Sequence, residues 1–279
     1  AVSVCFALTN FSSARIRLIY QATELIGGEG KEGGLVVLVE RWTPFSHDHP
    51  LFSIGVSVSL CPVDEIARSN PASKSIEWIT KRKHIYSQKN KDTYEVLLTR
   101  KREKRGEERE GDVEVEVLEG MGTNLFCVRE DNTILTAGGT DVLPGLSASI
   151  LIDSLFLSPT SLSPSSPPSP LPSLALLPPP PSPSPLSSSP SLPSLNIIPP
   201  PRSWVSEFSS PPLSLIIRPP TLKELREAKE VMICSASRPL VPVTEIEGKK
   251  VGNGKPGQIF NTWNKFCLLL LKQQSEFLC

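Results

Sequence analysis

The chain has 279 residues, 39% of them hydrophobic, enough to bury a core in one large domain or two modest ones. Its 29 basic side chains against 29 acidic ones leave no net field to draw in nucleic acid or an anionic membrane. Six cysteines, at 5, 61, 127, 234, 267 and 279, form no Cys-x-x-Cys pair, so neither a zinc site nor a disulfide framework is indicated. They read as reduced thiols of an intracellular protein. The longest apolar run, Cys267 to Leu271, is far short of the roughly 20 residues needed to span a bilayer, so a soluble chain is expected. Before Glu24 there is no acid, while Arg15, Arg17 and several serines occur. That composition fits a transit peptide, and the start at Ala1 also fits a fragment beginning inside a domain. Cytoplasm and an organelle such as a plastid both stay open.

Residues 14–27 place Leu18, Ile19, Ala22, Leu25 and Ile26 on one helical face, and Gly27-Gly28 supplies a stop, so a helix is predicted. Residues 33–42 and 51–62 are β-branched and turn-bounded, the second alternating over Ile54, Val56 and Val58. They read as neighbouring strands. In the polar FSHDHP turn between them, His47 and His49 have no third ligand in view, so no metal is assigned. Residues 73–88 carry a helix-like mix with Ile76, Ile79 and Ile85 apolar. Residues 94–100, 113–120, 124–128 and 133–137 follow as a predicted meander of short strands, giving a mixed α/β (α+β) fold. The run KREKRGEEREGD (101–112) balances acids against bases without interleaved aromatics, as a solvated hairpin loop does and a nucleic-acid patch does not.

Composition breaks at about 158: 21 of the 29 prolines fall between Pro159 and Pro220, among serine and leucine. Such a segment can neither donate a ladder nor bury a continuous face, so disorder with polyproline-II character is predicted. Its P-x-x-P spacings suit an SH3 or WW type domain, and an inert linker is the alternative. Ordered-looking sequence resumes at 218–234 with a helix and then a strand. The tract therefore interrupts a domain. The expected layout is a partial N-terminal α/β domain (1–62), a first part of a larger domain (63–157), the disordered Pro/Ser-rich insertion (158–217), the second part (218–260) and a tail (261–279).

Three segments carry the chemistry: VLEGMGTNLFCV (117–128), DNTILTAGGTDVLPGLSASI (131–150) and REAKEVMICSASRPLVPVTEIEGKKVGNGKPG (226–257). Together they resemble the class IV aminotransferases of fold type IV, which include D-amino-acid and branched-chain transaminases and aminodeoxychorismate lyase. The shared pattern is an acid-Gly strand end leading to Asn-Leu-Phe, a Leu-x-Gly turn before a helix, and a strand running through small hydroxyl residues to Pro-Val. The resemblance implies pyridoxal 5′-phosphate as cofactor, an amino acid and a 2-oxo acid as substrates, and a homodimer, with neither nucleic acid nor membrane as partner.

Residue by residue, the resemblance matches Glu119 to the carboxylate that pairs with the protonated pyridine nitrogen and keeps the ring an electron sink. Gly145, Leu146 and Ser147 fall where backbone N–H groups at a helix start receive the phosphate. Ser235, Ala236 and Ser237 fall on a second phosphate-contacting stretch, with Ala236 where a threonine or serine is usual. Asn124 is assigned to the local turn. Lys74, followed by Trp78, is the expected cofactor-linking lysine, and Lys81 and Lys83 are its local competitors. The GNGKPG loop (252–257) is read as a turn, because no clear helix is predicted after it. A His-x-x-Arg-Leu motif carrying the family's phosphate arginine is not found. Active transamination, a catalytically impaired fold or interaction protein, and lyase chemistry on an aminated chorismate derivative are the three functions compatible with this pattern.

Overall fold

The first two described segments pair with each other. In the computed structural model, which describes residues 14–22, 33–41, 43, 46, 48–65, 76–103, 113–139, 141–156, 213–236 and 238–276, strand β1 (Ala14–Ala22) runs antiparallel to β2 (Gly33–Arg41) from Ala14↔Arg41 to Ala22↔Gly33. The predicted helix over 14–27 is thus a strand as far as Ala22. Ile16, Leu18, Ile19 and Tyr20 suit a strand at least as well as a helix, and a full register with β2 decides between them. β2 is not the neighbour of the next strand, as expected; it belongs to a separate two-stranded sheet.

A short helix α1 (Pro50–Ile54) occupies the start of the run read as strand 51–62. His49 caps it, its Nδ1 accepting from the Leu51 N–H at 3.3 Å, and Pro50 fits the first turn because its missing donor would be unpaired there anyway. Gly55, at φ +80°, ends it. Strand β3 (Val56–Pro62) follows, then α2 (Ile76–Gln88), β4 (Thr93–Glu103), β5 (Val113–Gly120), β6 (Asn124–Val128) and β7 (Thr133–Thr136). After them come α3 (Leu146–Phe156), β8 (Ser214–Ile217), α4 (Leu222–Arg226), β9 (Glu230–Ser235), β10 (Arg238–Ile246), β11 (Lys249–Lys250) and α5 (Gln258–Glu276).

Among the described residues these strands form one sheet in the order β5-β4-β3-β10-β9-β6-β7-β8, with β11 on β10. The predicted meander is therefore divided: β4–β5 and β6–β7 are antiparallel neighbours, while β5 and β6, joined by three residues, lie at distant places along the path. Such a short link is possible because the sheet curls. The Val117 N–H donates to the Pro220 carbonyl at 2.8 Å, and a Glu116↔Thr221 bridge ties the β5 edge to the segment after β8. The hairpin around the charged run is present in the β4–β5 pairing, up to Glu103↔Val113.

Three further boundaries differ from expectation. Ser214–Ile217, placed at the end of the insertion, is β8, paired in parallel with β7; the rest of that tract, 158–212, lies outside the described residues. Residues 261–276, read as a tail, continue α5. Trp263, Phe266 and Cys267 on α5 are buried in the main core with Phe126, Met232 and Cys234, and Phe126 meets Trp263 edge-on at 5.7 Å. Finally, the GNGKPG loop does precede a helix, α5. Two of its N-terminal donors are already taken, because the buried Glu230 carboxylate accepts from Ile259 N at 2.9 Å and from Phe260 N at 2.8 Å. On α2, Trp78 and Ile85 pack with Val96, Leu98, Leu118 and Met121 in a second cluster. Among the described residues no helix is long and apolar enough to cross a membrane, and no group of three His, Cys, Asp or Glu could hold a metal ion.

Candidate cofactor site

Strand alternation turns the Glu119 side chain, 4% exposed, toward the loop before α3. Its Oε2 accepts from the Leu143 N–H at 3.2 Å. One turn further on, Asn124 Nδ2 donates to the Leu143 carbonyl at 2.9 Å, so one residue is held from both sides. Gly145 then passes so close to Asn124 that a Cβ there would lie 1.7 Å from Oδ1. The strand end at 119, the strand start at 124 and the start of α3 are therefore fixed against one another. Leu146 opens α3 and is exposed, with half-buried Ser147 after it.

β9 runs antiparallel to β6 with Cys234 opposite Asn124, which brings Ser235 to the same end of the sheet. Its Oγ is buried without a hydrogen-bond partner. An orphaned hydroxyl of that kind is costly, so this one marks a place where a ligand oxygen would be welcome. Ala236 is exposed and brings no hydroxyl; Ser237 lies outside the described residues. So does Lys74, although α2 begins two residues after it. Trp78 Nε1 of α2 donates to the Met121 carbonyl at 3.3 Å, fixing the helix beside the turn that follows Glu119.

The overall fold recurs in solved proteins. An Escherichia coli branched-chain amino acid aminotransferase matches over 93% of this chain and 65% of its own, with a TM-score of 0.51 and 14% identity. A branched-chain aminotransferase from the archaeon Thermoproteus uzoniensis matches over 99% of this chain and 71% of its own, with a TM-score of 0.57 and 13% identity. The fold is that of the fold type IV aminotransferases. A Thermobaculum terrenum branched-chain amino acid aminotransferase adds a TM-score of 0.51 at 13% identity over 86% of this chain and 58% of its own. The chain thus spans less than two thirds of the Escherichia coli and Thermobaculum proteins. No family model and no curated protein matches it.

Within this aminotransferase fold, sequence reasoning missed a polar cluster beside Gly120. Glu95 of β4, wholly buried, is bonded by Tyr86 Oη, by the Val96 N–H at 2.9 Å and by Thr123 Oγ1 at 3.3 Å. Burial first, and then the Glu95 charge, push the Tyr86 phenol above its ordinary range. Arg238 Nη2 stands 3.8 Å from Glu95 Oε2 and its guanidinium lies over the Tyr94 ring, as that of Arg82 lies over Tyr86. A signal was present: one acid between Tyr94 and the apolar run Val96-Leu97-Leu98 of a strand demands partners.

Proposed function

We propose that this chain carries the cofactor site of a pyridoxal-phosphate-dependent transaminase, moving an amino group between an amino acid of the D- or branched-chain type and a 2-oxo acid. The observation that carries the proposal is the buried Glu119 clamped to Leu143, which puts an acid, a helix start and an orphaned serine hydroxyl at one end of the sheet. These residues fit the group. The Glu119 carboxylate would accept the hydrogen bond of the protonated pyridine nitrogen, while the N–H groups at 145–147 and the partnerless Ser235 Oγ would take phosphate oxygens.

Bound pyridoxal phosphate supplies an electron sink for the negative charge left at the substrate Cα. The protein residues do the rest. The Lys74 amine serves as the nucleophile and then carries the Cα proton. The α2 anchor from Trp78 to Met121 supports this role, because it holds the helix that follows Lys74 beside the Glu119 strand end. Buried Glu119 would present its carboxylate to the ring nitrogen with little water to compete for it.

The test is spectroscopic. Purified full chain mixed with pyridoxal phosphate should develop the visible band of lysine-bound cofactor, and Lys74→Ala should abolish it. Absence of any band from the wild-type chain would sink the proposal and favour a catalytically impaired fold. If the band forms, a screen of D- and L-amino acids for oxo-acid release separates a transaminase from the lyase alternative.

A further inference from the structure

The loop in front of α3 is held by side chains from three strands. Glu119 of β5 and Asn124 of β6 bond Leu143 from its two sides. β4 supplies the third hold. Arg100 Nη1 donates to Asp141 Oδ1 at 2.7 Å and Nη2 to Oδ2 at 3.2 Å, a fork on both carboxylate oxygens two residues before Leu143. Val142, between them, is buried in the cluster that holds Trp78 and Met121.

The fork is set by the sheet before the loop meets it. Arg100 lies opposite Glu116 in the β4–β5 register, and Glu116 Oε2 accepts from Arg100 Nε at 3.2 Å and from Nη2 at 2.7 Å. The buried Glu116 also accepts from Arg102 Nη1 at 2.8 Å. Two guanidinium groups thus face two carboxylates, and Asp141 is the one member of the four that lies off the sheet. Without it Arg100 keeps its bonds to Glu116, so the β4–β5 pairing does not depend on Asp141.

From Asp141 the path to α3 is short and stiff. Leu143 is bonded from both sides, Gly145 sits against Asn124, and the Gly145 carbonyl accepts the Ser149 N–H at 2.9 Å in the first turn of α3. A shift at Asp141 is therefore carried to the N–H groups at 145–147, where hydrogen-bond length and angle decide how well a phosphate is held.

We propose that Arg100 and Asp141 are positioning residues for the cofactor phosphate: their fork fixes the start of α3 and so sets the preference for a phosphorylated over an unphosphorylated cofactor. The proposal rests on the cofactor site of the transaminase reading and adds to it two residues that touch no cofactor atom themselves.

Tryptophan fluorescence titration of the full chain tests it, with pyridoxal phosphate and with pyridoxal, which lacks the phosphate. The wild-type chain should bind the phosphorylated form more tightly. Asp141→Ala should narrow that preference about fivefold, with pyridoxal affinity and melting temperature close to wild type. Arg102→Met, which strips a bond from Glu116 without touching the loop, should keep the wild-type preference. An unchanged preference in Asp141→Ala, or equal weakening of both ligands there, overturns the positioning role alone. A wild-type chain without preference for the phosphorylated form overturns the cofactor site, and this inference with it.

Discussion

The Glu119 carboxylate accepts the Leu143 backbone N–H at 3.2 Å, so the acid proposed for the cofactor also holds the loop in front of α3. The two roles separate in Glu119→Gln. The amide oxygen can still accept from Leu143, but a neutral group cannot hold a protonated ring nitrogen. Transamination should fall about 10- to 100-fold with little change in melting temperature. Parallel loss of both would assign Glu119 to structure only.

Gly145→Ala tests the clamp from the other side. The new methyl would collide with Asn124, whose own bond to Leu143 prevents it from moving away. Destabilisation of about 1–3 kcal/mol is expected in urea unfolding. Gly34→Ala, where nothing lies within 4 Å, is the control and should be close to neutral.

Glu230→Ala should cost more, about 3 kcal/mol, since it strips two charge-assisted bonds from the start of α5 and leaves their N–H groups buried. The denaturant midpoint would show it. A change below about 1 kcal/mol would mean that water replaces the carboxylate.

Acid stability should carry the mark of Glu224. The Arg218 fork, bonding at 2.8 and 2.5 Å, and the Thr221 N–H hold its carboxyl down to about 2 from an ordinary 4.5. A depressed folded value means that this contribution is complete above about pH 4.5 and disappears as pH falls toward 2. The melting temperature should decline across that window, and Glu224→Gln should flatten the decline. A residual slope is expected from Asp141, which its bond to Arg100 also holds low.

β5 and β6 were legible to the residue, since VEVEVLEG and NLFCV are β-rich runs bounded by the Gly120–Thr123 turn. β1 was not, because Leu18, Ile19 and Ala22 satisfy a helical period as well as a strand, and only the distant β2 breaks the tie. α1 carried its own signals in His49, Pro50 and Gly55, overridden by the alternation of Ile54, Val56 and Val58. Strand order was out of reach, because Val56 pairs with Val243 from beyond the Pro/Ser tract. For the same reason the motif exposed Glu119 and Gly145, while Arg100 and Asp141 meet only once β4 and the loop before α3 are assembled.

β10 enters the sheet between β3 and β9, and β9 lies against β6, so strands from either side of residues 157–212 alternate across it. A peptide bond cut within those residues would sever the polypeptide without severing the sheet. Neither piece can bury Phe126 or Trp263 alone, since each is the other's wall. Two polypeptides, 1–156 and 213–279, produced together should therefore co-purify as one particle.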